Sequence, residues 1–146
     1  MIKKLGSNEI SYRLPSELMP FSYEITIRPY IGSSVEYGVE KSFKFDGNIT
    51  IGFTCSNPTS KIVLHIKDLL IKNESIKLHS HSTYDTIEVS QKWSNDFKRE
   101  FMILNMNKEC TKNQNYSVNM LYVGHISEYL AGFYRSSYTS SDGKIN

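Results

Sequence analysis

The stretch Phe43-Lys44-Phe45-Asp46-Gly47-Asn48-Ile49-Thr50-Ile51-Gly52-Phe53-Thr54-Cys55 decides the fold. Its odd positions are apolar at Phe43, Phe45, Ile49, Ile51, Phe53 and Cys55, while the even positions carry Lys44, Asp46, Asn48, Thr50, Gly52 and Thr54. Successive side chains of a strand point to opposite faces, whereas a helix gathers every third or fourth residue. A period of two held this long predicts a strand, or a bent pair of strands, with one dry and one wet face. Gly47 is the one break in the apolar series, and glycine inside a strand marks a bulge or bend.

The same alternation runs upstream through Tyr23-Glu24-Ile25-Thr26-Ile27-Arg28 and downstream through Ile62-Val63-Leu64-His65-Ile66. It returns in Thr86-Ile87-Glu88-Val89-Ser90, in residues 100–106, and in Tyr116-Ser117-Val118-Asn119-Met120-Leu121-Tyr122-Val123. Turn residues separate the runs: Pro29, Gly32-Ser33-Ser34, Ser56-Asn57-Pro58-Thr59-Ser60 and the polar residues 105–115. Only residues 126–131, closed by Gly132, offer a helix, and one or two turns at most. About six to eight short strands are expected, in an all-β fold: an antiparallel sandwich or open, saddle-like sheets with little helix.

A length of 146 residues suits one domain that buries roughly 68–70% of its unfolded surface. With 39% hydrophobic and 22% charged residues a packed core is within reach, and intrinsic disorder is excluded. Seventeen Lys+Arg against fifteen Asp+Glu give +2, with no basic cluster of the kind a nucleic-acid binder shows. No apolar run approaches the roughly 20 residues of a membrane-spanning helix. Met1-Ile2-Lys3-Lys4-Leu5-Gly6 has a basic pair without an apolar stretch, unlike a signal peptide. The chain reads as a soluble domain.

Candidate chemistry is thin. His79 and His81 stand two apart and could chelate together on a strand, but no third ligand stands nearby in sequence, so a solvated loop or edge strand is the expected setting. His65 should point away from the apolar face, and His125 follows Gly124 near a turn. The zinc-peptidase pattern His-Glu-x-x-His, the Gly-x-Ser-x-Gly elbow and the phosphate-binding glycine loop are all missing. Cys55 and Cys110 could form a disulfide or remain two small apolar side chains; sequence does not give the distance between them. Asn48, Asn73 and Asn115 open N-glycosylation sequons, whereas Asn57 is blocked by Pro58. Eleven Asn and 28 Ser+Thr would produce about two such patterns by chance, so three say little alone.

Two compact phrases remain: Tyr12-Arg13-Leu14-Pro15, leading through Leu18, Pro20 and Tyr23 into a strand, and Gly132-Phe133-Tyr134-Arg135-Ser136. With Phe45-Asp46-Gly47-Asn48-Ile49-Thr50-Ile51 and Lys61-Ile62-Val63-Leu64-His65 between them, they resemble the N-terminal, non-catalytic β domain of the aminopeptidase N family of zinc metallopeptidases. The likeness runs in family order over nearly the whole chain. It implies a flexible segment at 1–11 and the family's β domain over 12–146, truncated at its C-terminal end. In that family a zinc-binding His-Glu-x-x-His and an amine-gripping Gly-x-Met-Glu-Asn lie in the following domain, and neither occurs here.

The resemblance therefore carries over no catalytic, zinc or substrate residue. It implies that this chain binds no cofactor itself and has the zinc-bearing catalytic domain as its partner, with peptides reached only through that domain. It also implies a secreted or membrane-attached setting, a cytoplasmic one being the alternative. A stand-alone β-sandwich interaction module is the competing function, and an enzyme with an unrecognised site is the third.

Overall fold

A computed structural model describes residues 11–31, 38, 43–89 and 93–126. Nine strands follow one another there: β1 Leu18–Pro29, β2 Lys44–Cys55, β3 Lys61–His65, β4 Leu69–Ile71, β5 Lys77–Ser80, β6 Thr86–Ile87, β7 Ser94–Asp96, β8 Phe101–Asn105 and β9 Asn115–His125. A 3-10 turn, Asn73–Ser75, links β4 to β5. The fold is all-β, with more strands than expected, because the short β4 and β7 show no alternation of their own.

All strand pairings are antiparallel. The six-stranded sheet runs β1-β2-β9-β5-β6, with β4 also pairing to β9, and the three-stranded sheet runs β3-β8-β7. The inner faces meet as a sandwich. Phe45, Ile51, Phe53, Leu78, Tyr116, Val118, Met120 and Tyr122 from the larger sheet close over Ile62, Met102 and Leu104 from the smaller one. The odd residues of β2 and the even residues of β9 thus share the dry side, as period-two alternation requires.

Gly47 departs from the expected bulge. β1 and β2 pair without interruption past it, Ile27 opposite Gly47. On the other side Gly47 faces Tyr122, and the Tyr122 ring occupies the space a Cβ would need. Two residues along, the exchange is reversed, with the Phe45 ring lying over Gly124. The rings then meet edge to face, 6.3 Å between centroids at 86°, the geometry aromatic quadrupoles favour. The irregularity falls instead between Pro20 and Ser22, where the Phe21 ring and the Ser22 hydroxyl both crowd onto Gly52.

The histidine stretch differs from expectation at His79, which lies in β5, but not at His81, which lies in the exposed turn after it. β5 is flanked by β9 and β6, with Leu78 and Ser80 buried, so it is neither loop nor edge. The run expected over residues 86–90 shortens to β6 plus a bridge from Val89 to Met106. Expectations for residues 1–10, for Gly32-Ser33-Ser34 and for the helix beyond Ile126 lie outside the described residues.

The glycine slots yield a test. Gly47→Ala and Gly124→Ala each gain roughly 0.5–1 kcal/mol in strand propensity but drive a methyl into a buried ring, which costs about 1–3 kcal/mol. Both variants should be net destabilised in urea melts. Pairing Gly47→Ala with Tyr122→Leu should cost less than the sum of the single changes.

Candidate functional site

β1 forms a face without forming core. Tyr23, Ile25 and Ile27 lie opposite Ile51, Ile49 and Gly47, which places them on the dry side of the sheet. Yet they are 59%, 56% and 45% exposed, against 6% for Ile51. The smaller sheet packs over β2, β9 and β5, and β1 adds only Leu18 at the margin of the buried cluster. Among the described strands β1 pairs with β2 alone. The result is an apolar stripe with the patterning of a core and no cover among the described residues.

The stripe opens into a groove between the sheets of about 410 Å³, walled by Leu18, Pro20 and Tyr23 against Phe53, Ile62 and Leu64. A second hollow of about 270 Å³ adjoins it over Ile49, Met102 and Met120. Leu14 lines both. Of the phrase Tyr12-Arg13-Leu14-Pro15, Leu14 and Pro15 thus wall this groove, and Leu14 is the phrase's only half-buried member. Two anchors hold the approach: the Tyr12 carbonyl lies 3.1 Å from Nε2 of His65, and the Glu17 carbonyl accepts from the Ser56 and Asn57 amides at 2.7 and 3.2 Å.

Behind the groove the sheets are tied covalently. Cys55, at the end of β2, and Cys110, in the loop after β8, form a disulfide with Cα atoms 6.2 Å apart. Both are buried, and the Cys110 amide donates to Thr59 at 2.9 Å.

The titratable groups are spread rather than gathered. His65 is exposed at the end of β3, where it lines the second hollow, its ring 4.9 Å from that of Phe101. His79 Nδ1 lies 3.3 Å from the Thr86 hydroxyl, His81 meets Phe21 edge-on, and His125 ends β9. Among the described residues no three His, Cys, Asp or Glu come together to hold a metal, and the scattered histidines do not fit zinc. Arg99 hydrogen-bonds Asp96 and holds its carboxyl below the usual range, so any stabilisation from that pair is present at neutral pH and lost in strong acid. Glu100, 2.9 Å from Lys67, raises that ammonium, and burial pushes the Tyr122 phenol up. None of these groups forms a nucleophile with a base and an orienting partner.

The polar face of the larger sheet holds what sequence reading missed. The Asn119 amide donates to Asn48 Oδ1 at 2.7 Å, Thr50 Oγ1 at 2.9 Å and the Ile49 carbonyl at 3.1 Å. An Asn on the wet side of a central strand was the available signal. Gly132, Phe133, Tyr134, Arg135 and Ser136 lie outside the described residues.

Comparison with known proteins gives a consistent result. Residues 19–146 match the Peptidase M1 N-terminal domain. An aminopeptidase N of Haemonchus contortus is 32% identical over 130 residues, 89% of this chain and 13% of that protein. An aminopeptidase N of Rattus norvegicus is 30% identical over 141 residues, covering 91% and 14%. A membrane alanyl aminopeptidase of Manduca sexta is 31% identical over 138 residues, covering 92% and 14%. The chain thus spans about one seventh of the length of these relatives.

The disulfide can be tested directly. Closing a loop of this size stabilises by about 4 kcal/mol in the chain-entropy account. Changing both cysteines to serine should lower the unfolding free energy by up to about that amount. The far-ultraviolet spectrum should remain that of a β protein, because the two sheets keep their apolar contact; collapse of that spectrum would make the bridge essential.

Proposed function

The chain belongs to the peptidase M1 family as its N-terminal domain, and from that premise we propose that it is the non-catalytic leading domain of a zinc-dependent aminopeptidase that removes N-terminal residues from peptides. The observation that carries this reading is the uncovered stripe of Tyr23, Ile25 and Ile27 continuing into the Leu14 groove. Its occupant is the catalytic region of the same polypeptide. Relatives of this chain extend over about seven times its length, so such a region has the sequence to exist. Covering each half-exposed side chain of the stripe is worth about 1 kcal/mol.

The domain's part in catalysis is then mechanical. It binds and orients the catalytic region and helps to wall the entrance to the active site. The zinc, its ligands and the groups that grip a free amine would belong to that region, where a bound metal would supply Lewis-acid and water-activating chemistry. Peptides meet this chain only through its neighbour, and nucleic acid is no partner. A buried disulfide and the membrane aminopeptidase among its relatives favour an extracellular or membrane-attached ectodomain.

Two outcomes check this. The 146-residue chain alone should release no fluorophore from an aminoacyl amide, with or without added zinc; chelator-sensitive release would defeat the reading. Ile25→Glu and Ile27→Lys, at exposed sites, should shift the domain's own stability by less than about 0.5 kcal/mol. In the complete polypeptide the same pair should expose the junction to limited proteolysis, and unchanged resistance would place the docking face elsewhere.

A further inference from the structure

We propose that Asn48, Asn73 and Asn115 are sites of N-linked glycosylation, and that the larger sheet turns its polar face outward to carry two of the three glycans. The three sequons exceed chance only slightly, so their pattern does not carry this; the side-chain geometry does. All three asparagines are exposed. Asn48 sits in β2 and Asn115 opens β9, both on the wet side of the sheet, opposite Leu121 and Thr54 respectively. Asn73 begins the turn after β4.

In each case the carboxamide is used from its oxygen side. Asn48 Oδ1 accepts from Asn119 at 2.7 Å, Asn73 Oδ1 from the Trp93 indole at 2.6 Å, and Asn115 Oδ1 from the Thr54 hydroxyl at 2.8 Å. The nitrogen Nδ2 of all three has no hydrogen-bond partner among the described residues. That nitrogen is the atom a glycan takes. An N-linked sugar leaves Oδ1 an acceptor and one N–H in place, so all three native bonds survive the modification.

The chemistry requires a sugar activated as a lipid-linked diphosphate. Nδ2 attacks the anomeric carbon C1, the C1–O bond to the diphosphate breaks, and the diphosphate leaves with the electron pair. The nitrogen gives up one proton as the Nδ2–C1 bond forms. Asn57 cannot join the set, because Pro58 fills the middle position of its sequon. The side chains of β1 that face the same way as Asn48 are Glu24, Thr26 and Arg28, so glycans on this side leave the Tyr23, Ile25 and Ile27 stripe clear for docking.

This inference rests on the ectodomain reading, and one sample separates the two. The complete protein is isolated from its native source and mapped without reduction. It is then treated with peptide-N-glycosidase in heavy-oxygen water, which converts each glycosylated Asn to a mass-tagged Asp. The expected result is a tag at Asn48, Asn73 and Asn115, none at Asn57, and a closed Cys55–Cys110 bridge. A closed bridge with any of the three asparagines untagged overturns the glycan assignment and leaves the exported setting standing. Free thiols with no tags overturn both. Expression of Asn48→Gln, Asn73→Gln and Asn115→Gln chains through the secretory route should each remove one step in gel mobility, and an unchanged mobility counts against the site concerned.

Discussion

The reciprocal packing of Phe45 over Gly124 and Tyr122 over Gly47 fixes the register of β2 against β9, and the rest of the molecule hangs on that register. A slip of one residue would send every side chain of a strand to the opposite face. Here it would also drive two buried rings into side chains where glycine now makes room. With the register held, β1 is added on one side and β4 and β5 on the other, each inheriting the same division into dry and wet faces. The smaller sheet then has a single apolar surface to cover.

It covers that surface incompletely, and the proposed docking face is the part left over. Three strands close over β2, β9 and β5, but β1 projects past them with its apolar residues still aimed inward. Burying the stripe within this chain would need another layer of structure. Left open, it offers a preformed contact surface whose shape is set by the rigid sheet beneath it. The phrase Tyr12-Arg13-Leu14-Pro15 serves the same surface, since Leu14 lines the groove where the two sheets diverge.

Much of this was legible in the sequence, and the gaps have physical causes. Strict alternation in residues 43–55 marked β2, because period two has one structural meaning at that length. The meaning of Gly47 was not legible: a glycine in a strand can bend it or make room for a ring, and the ring that decides lies 75 residues away in Tyr122. Alternation likewise placed Ile25 and Ile27 on the dry side, but a strand's own sequence does not say whether another layer reaches it. For Cys55 and Cys110 the deciding quantity was a distance, and composition carries no distances. Asn119 escaped notice because its three bonds join β9 to β2 across a fold that must first exist.

The two faces of the larger sheet therefore ask opposite things of their surroundings. The inner margin of β1 gains by losing water, and the outer face, laced by amide and hydroxyl bonds around Asn119, gains by keeping it. Covering that outer face with another domain would bury carboxamide nitrogens that have no partner among the described residues, at a cost of roughly 1–3 kcal/mol each. Covering the inner margin buries apolar surface instead. In the proposed assembly this asymmetry orients the domain: the β1 stripe is the docking side, and the side bearing Asn48 and Asn115 faces solvent.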